Sequence, residues 1–185
     1  MKLNRFALTL ALALPLTAQA IEYNQIVPNK SRVSFAYKQM GVAMDGEFKK
    51  FSAQMSFDPE KVASAKVSFD VDLASTDAGS DDADQELGGK VWFNVKAFPT
   101  AQFASSSVKT LGANRYELAG KLSIKGKAQN IVIPLTMTNQ GNAAVFDGHF
   151  TIRRSDFSVG EGPWSAFDVV ANDVQVKLHI TAAGK

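Results

Sequence analysis

The sequence predicts an all-β domain: eight antiparallel strands closed up-and-down into a barrel, with one or two short helical segments. Three observations carry that prediction. Apolar and polar residues alternate with a period of two along most of the chain after residue 20, the spacing that sends successive strand side chains to opposite faces. Turns bearing glycine and asparagine separate these runs at hairpin distances. Proline is scarce inside the runs, so few strands are marked as edges, and a closed barrel has no edges to guard. Alternation by itself also fits a two-sheet sandwich.

The runs follow in order. Val33, Phe35 and Tyr37 alternate with Ser34 and Ala36. Ala53, Met55 and Phe57 alternate with Gln54 and Ser56 until Asp58-Pro59 ends the run. In KVSFDVDLAS, residues 66–75, Val67, Phe69, Val71 and Leu73 oppose Lys66, Ser68, Asp70 and Asp72. A less regular run over about 100–110 reaches the turn Leu111-Gly112-Ala113-Asn114. Tyr116, Leu118, Leu122 and Ile124 then face away from Glu117, Lys121, Ser123 and Lys125, and Lys125-Gly126-Lys127 turns the chain. Ile131, Ile133, Leu135 and Met137 follow, with Pro134 marking an edge, bulge or strand end. After Gln140-Gly141-Asn142, Phe146, Phe150 and Ile152 alternate with Asp147, His149, Thr151 and Arg153. Val174, Val176, Leu178 and Ile180 close the series. Ser80 to Leu87 reads as a capped helix start with acidic residues at its positive end, and Gly160 to Trp164 as a loop.

Residues 1–20 stand apart. Lys2 and Arg5 precede the apolar run FALTLALALPL, and Ala18-Gln19-Ala20 is a small-residue cleavage box, the layout of a secretory signal peptide. The run is shorter than the roughly 20 residues a membrane helix needs. The expected mature protein is one domain, 21–185. Its net charge falls from the +2 of the whole chain to zero once Lys2 and Arg5 are removed, which argues against nucleic acid as a partner. The chain has no cysteine, so disulfides, thiol catalysis, iron–sulfur clusters and cysteine zinc sites are excluded. No second long apolar run follows, so no stable membrane insertion is expected.

An eight-stranded barrel is wide enough to be filled by its own side chains or to hold one small ligand. Gly120 lies in phase between Leu118 and Leu122, and Gly148 between Phe146 and Phe150. Either glycine could mark a bend or leave a lumen beside aromatic walls. The candidate lining is Phe35, Tyr37, Val67, Phe69, Val71, Trp92, Phe93, Phe103, Leu118, Gly120, Phe146, Gly148, Phe150 and Trp164. The segment LGGKVWFNVKAFPTAQF, residues 87–103, either plugs one barrel end or lines an entrance. Burying a methylene is worth about 0.8 kcal/mol, whereas association costs roughly 4–15 kcal/mol in lost freedom. An apolar lumen without charged anchors therefore favours a long lipid over a small molecule.

Catalytic and metal signatures are sparse. His149 and His179 take the polar phase of their strands, and no carboxylate falls at a matching spacing. Asp77 to Gly88 fails the EF-hand pattern, with Asp82 at position six and Gly88 at position twelve. No Gly-x-Ser-x-Gly elbow and no complete phosphate loop occur. No catalytic residue, metal or cofactor is assigned. Arg154 and Asp156 either touch a lipid head group or form a surface ion pair.

Four stretches, GEFKKFSAQMSFDP (46–59), WFNVKAFPTAQFASSSV (92–108), YELAGKLSIKGKAQNIVIPL (116–135) and RRSDFSVGEGPW (153–164), resemble the YceI-like family in order and spacing. The resemblance covers nearly the whole expected mature chain. It implies a lipocalin-like barrel in the bacterial periplasm that binds a polyisoprenoid or quinone-type lipid, a carrier and not an enzyme. Family members often carry a histidine where this chain has Gln39, and another where it has Glu86. Two other readings stay open: an enzyme acting on a prenyl lipid through Arg154, Asp156 and Glu161, and a filled barrel acting through a protein partner. A homodimer is compatible with all three.

Overall fold

In the computed structural model, which describes residues 21–185, the alternating runs become strands β1 (Tyr23–Ile26), β2 (Arg32–Gln39), β3 (Val42–Phe48), β4 (Phe51–Ser56), β5 (Lys66–Asp72), β6 (Thr76–Asp77), β7 (Thr100–Gly112), β8 (Arg115–Ile124), β9 (Lys127–Asn139), β10 (Ala143–Arg153) and β11 (Asp173–Gly184). The expected signal peptide, residues 1–20, lies outside the described residues. The one α-helix, α1 (Asp81–Gly88), follows Ser80, whose Oγ accepts from Ala83 N at 3.3 Å. Asp81, Asp82 and Asp84 occupy its first turn, where the helix dipole favours negative charge.

Every strand pairing is antiparallel, in the order β4-β5-β7-β8-β9-β10-β11-β2-β3-β6, with β1 beside β11. The sheet curls until its far sides meet. Tyr23 N donates to Phe57 O at 2.8 Å and Phe57 N to Tyr23 O at 3.1 Å, linking β1 to the end of β4. The barrel-like all-β class is as expected, but the number of strands is corrected from eight to eleven. β3 and β4 are separated only by Lys49-Lys50, and β5 and β6 by the 3₁₀ turn Leu73–Ser75. β1 and β6 are too short to show a period, and β3 breaks its apolar phase at Gly46, where the ring of Phe35 crosses the backbone.

Turn chemistry explains the hairpins. Lys125 and Gly126 both have positive φ, 49° and 74°, as do Met40 and Gly41, 49° and 80°, the geometry of two-residue turns that match strand twist. Pro134 sits where the β9–β10 ladder stops, since β10 pairs only with residues 135–139 of β9. Its missing N–H costs nothing there.

Candidate functional site

The barrel is both filled and hollow, in different halves. At one end Tyr23, Phe57, Tyr116 and Phe146 lock together edge to face. Tyr23–Phe146, Phe57–Tyr116 and Phe57–Phe146 centroids lie 6.2, 5.1 and 5.2 Å apart, a geometry that adds attraction beyond burial alone. Leu118, Val67, Val108, Met137 and Ile180 are buried in the same cluster. Burial pushes the Tyr116 hydroxyl above its ordinary pKa, because a phenolate has no water there.

At the other end the same strands enclose a cavity of about 440 Å³. Each strand that crosses the barrel contributes its far residues: Phe69, Val71 and Leu73 from β5 and its following turn, Ala101 and Phe103 from β7, Leu122 and Ile124 from β8, Phe150 and Ile152 from β10, Val174, Val176 and Leu178 from β11. From β2 come Val33, Phe35, Tyr37 and Gln39. Strand periodicity makes this wall apolar, since every second residue must face inward. Burial raises the Tyr37 pKa, which keeps that hydroxyl neutral. Trp92, Phe93, Trp164, Asp82, Ala83, Glu86 and Leu87 frame the remainder.

The structure places Phe35, Tyr37, Phe69, Val71, Trp92, Phe93, Phe103, Phe150 and Trp164 on this wall. Val67, Leu118 and Phe146 are buried but line no part of this cavity, lying toward the opposite ends of their strands. Gly120 and Gly148 open no lumen. The ring of Phe103 occupies the space a Cβ on Gly120 would need, and Leu135 Cδ2 and Pro134 O crowd the same position on Gly148. Each glycine lets a neighbour fold inward across its strand. The segment 87–103 lines the cavity through Leu87, Trp92, Phe93, Ala101 and Phe103, while Phe98 packs on Gly126.

Arg154 also reaches the cavity wall, but it is not free to hold a head group. Its guanidinium is 3% exposed and donates to five main-chain carbonyls: Ala171 at 3.2 Å, Val159 at 3.0 Å, Gly160 at 2.7 Å, Trp164 at 2.6 Å and Val170 at 2.8 Å. That uses every guanidinium N–H. The rings of Trp92 and Phe167 lie 5.5 and 5.3 Å from its Cζ, close enough for cation–π attraction. Burial lowers its pKa, yet a guanidinium stays charged. Its work is to tie residues 154–171 into a rigid rim. Asp156 lies apart, paired on the surface with Arg153 at 2.9 Å.

A second cation supports the same rim. Lys125 Nζ is nearly buried and donates to Val91 O at 3.2 Å, Ser158 O at 2.5 Å and Glu161 Oε2 at 3.1 Å. Hydrogen bonding from Lys125 is the main cause of a lowered Glu161 pKa. The mouth also has Gln39, which continues the inward row of β2, and two polar residues that strand periodicity does not reveal, Asp82 and Glu86. Asp82 and Glu86 share a face of α1 by their spacing of four, the one sequence signal that could have found them. On the outer face, Asp147 stands directly opposite His179 in the ladder and meets its Nδ1 at 2.6 Å, a cross-strand carboxylate that corrects the expectation of none. Among the described residues no group of three histidines or carboxylates is placed to hold a metal, and no helix is long and apolar enough to cross a membrane.

An antiparallel, barrel-like sheet with one solid half and one apolar chamber defines a small, partly hollow β-barrel. The chain belongs to the YceI-like domain family, whose model matches residues 25–182. It is 28% identical to a UPF0312 protein of Pseudomonas syringae pv. tomato over 191 aligned positions, covering 96% of this chain and all of that one. Among solved structures it resembles BcnA of Burkholderia cenocepacia, with 43% identity, a TM-score of 0.84, and 86% of this chain and 100% of that chain covered. A polyisoprenoid binding domain from Saccharophagus degradans shares the fold at 12% identity and a TM-score of 0.69, with 89% and 99% of the two chains covered.

Proposed function

We propose that this protein is a periplasmic carrier that holds a long-chain isoprenoid lipid, polyprenyl or quinone-type, in the chamber, and that it does so without catalysis. The carrying observation is the apolar cavity of about 440 Å³, within the range of pockets that enclose a small organic ligand. Hydrocarbon walls recognise hydrocarbon by burial, at about 0.8 kcal/mol per methylene. A chain of many carbons is needed to exceed the roughly 4–15 kcal/mol of lost freedom. The binding activity in the name of the Saccharophagus degradans neighbour supports the same cargo class.

The polar groups that an enzyme acting on the lipid would need are engaged elsewhere. Arg154 is held by carbonyls, Asp156 by Arg153, and Glu161 by Lys125. Gln39, at the end of the inward row of β2, gives the cargo's head end a polar neighbour. Mass spectrometry of organic extracts from natively purified protein tests the reading. An isoprenoid recovered chemically unchanged is the expected result. Repeated blank extracts, together with a crosslinked partner in periplasmic extract, would overturn it in favour of action through the outer surface.

A further inference from the structure

Helix α1 lies over the cavity and is bound to the barrel unevenly. Asp82, Ala83, Glu86 and Leu87 form part of the wall, yet no residue of the helix is buried. The helix belongs to no sheet. It is tethered near its middle and at its C-terminal end: Asp84 Oδ1 accepts from Ala78 N at 2.6 Å, Leu87 O from Phe93 N at 3.0 Å and Gly88 O from Val95 N at 3.2 Å. Glycines lie inside the loops that these tethers close. Gly79 has φ +95° with open space beyond it, and Gly88-Gly89 ends the helix. A glycine can absorb a change in backbone angle that other residues resist, so the connections at both ends of the helix can bend once these local bonds loosen.

The opposite rim is built to stay still. Arg154 Nη2 holds the carbonyl of Trp164 at 2.6 Å, and the Trp164 ring lies against Trp92 at 5.6 Å. One side-chain hydrogen bond crosses from this fixed post to the helix among the described residues: Trp164 Nε1 donates to Glu86 Oε1 at 2.7 Å. Lifting α1 breaks that bond and unpacks Leu87 from the wall, but parts no strand pairing.

We propose that α1 is the lid of the chamber and that the Glu86–Trp164 hydrogen bond is its latch. The lid admits and releases the lipid, a role that rests on the reading of the cavity as a lipid site. The bond is exposed, so its loss shifts the open population by ~3- to 10-fold. The latch can be opened from either side. Trp164→Phe keeps an aromatic ring and removes the N–H; Glu86→Ala removes the acceptor; Glu86→Gln keeps one.

Two measurements test the lid. The first is amide hydrogen exchange of residues 81–88 in lipid-free protein, with β8 amides as the internal reference. The second is the release rate of a dansyl-labelled geranylgeranyl probe. Trp164→Phe and Glu86→Ala should each speed both by ~3- to 10-fold, leave β8 unchanged, and exceed Glu86→Gln, which keeps an acceptor for the indole N–H. Because the chain has no cysteine, Glu86→Cys with Ser165→Cys also gives a unique pair for a short bis-maleimide, and bridging it should slow probe release. Unchanged exchange of 81–88 in both opening variants overturns the lid, whether or not the probe binds. Faster exchange with unchanged release overturns α1 as the route. A probe that binds no form at all removes the lipid reading instead, and the exchange data then decide the latch alone.

Discussion

Replacing Ala101 with phenylalanine tests directly which half of the barrel holds the cargo. Ala101 is 7% exposed and lines the chamber from β7. The added ring takes up the volume of roughly six methylenes of lipid, at about 0.8 kcal/mol each. Binding should therefore weaken by ~5 kcal/mol, between three and four decades in Kd. Stability should hold or rise, because the ring enters space that no side chain occupies. Ala104→Phe, on the outward phase of the same strand, is the control and should bind as wild type does. Fluorescence titration with a prenyl probe reads the affinity and urea unfolding reads the fold. A folded Ala101→Phe protein that keeps its wild-type lipid load would refute the placement of cargo in this chamber.

Arg154→Met should destabilise by ~3–5 kcal/mol, the range for a broken buried charge network, with a lowered urea midpoint. Arg154→Lys should recover only part, because an ammonium offers too few donors for the five carbonyls. Glu161 and Asp77 both have folded-state pKa values below their unfolded ones, chiefly through hydrogen bonds from Lys125 and Lys49. Their contribution is complete above the ordinary carboxylate range near pH ~4 and is lost as pH falls through the lower folded values. Glu161→Gln should accordingly lower stability at neutral pH and flatten the acid limb of a stability-versus-pH curve, so that variant and wild type converge below that range. Extracting the lipid should lower the melting temperature by roughly 5–10 °C, the shift for a ligand present at about 100 times its Kd in a domain of this size; equal values before and after extraction would show the chamber to be unused.

Alternation made the long strands legible, because one solvent face and one inner face force a period of two. The same rule cannot tell a packed inner face from a hollow one. Val67 and Phe69 look identical in sequence and both are buried, yet Phe69 lines the cavity and Val67 does not. The difference lies in their height along the barrel, which depends on register across neighbouring strands. Gly120 and Gly148 show the same limit: the space each leaves is taken by Phe103 or Leu135, side chains far away in sequence. Arg154 with Asp156 reads as a head-group contact or a surface ion pair, and only the return of residues 159–171 shows that Arg154 is buried while Arg153 takes Asp156 on the surface. The β2–β3 hairpin was hidden because Met40, an unusual residue at positive φ, occupies the turn position where asparagine or aspartate is the usual signal.

Hollowness at one end requires solidity at the other. Apolar volume left by deleted core side chains costs about 24 cal/mol per Å³, so 440 Å³ left unfilled corresponds to ~10 kcal/mol. That is as large as the whole net stability of a typical domain, about 5–15 kcal/mol. The aromatic cluster of Tyr23, Phe57, Tyr116 and Phe146 concentrates packing in the base, and Arg154 and Lys125 stiffen the rim with hydrogen bonds that need no side chain inside the chamber. The division sets opposite expectations for repacking. Better packing in the base adds stability and leaves binding alone; better packing in the chamber adds stability by excluding the cargo.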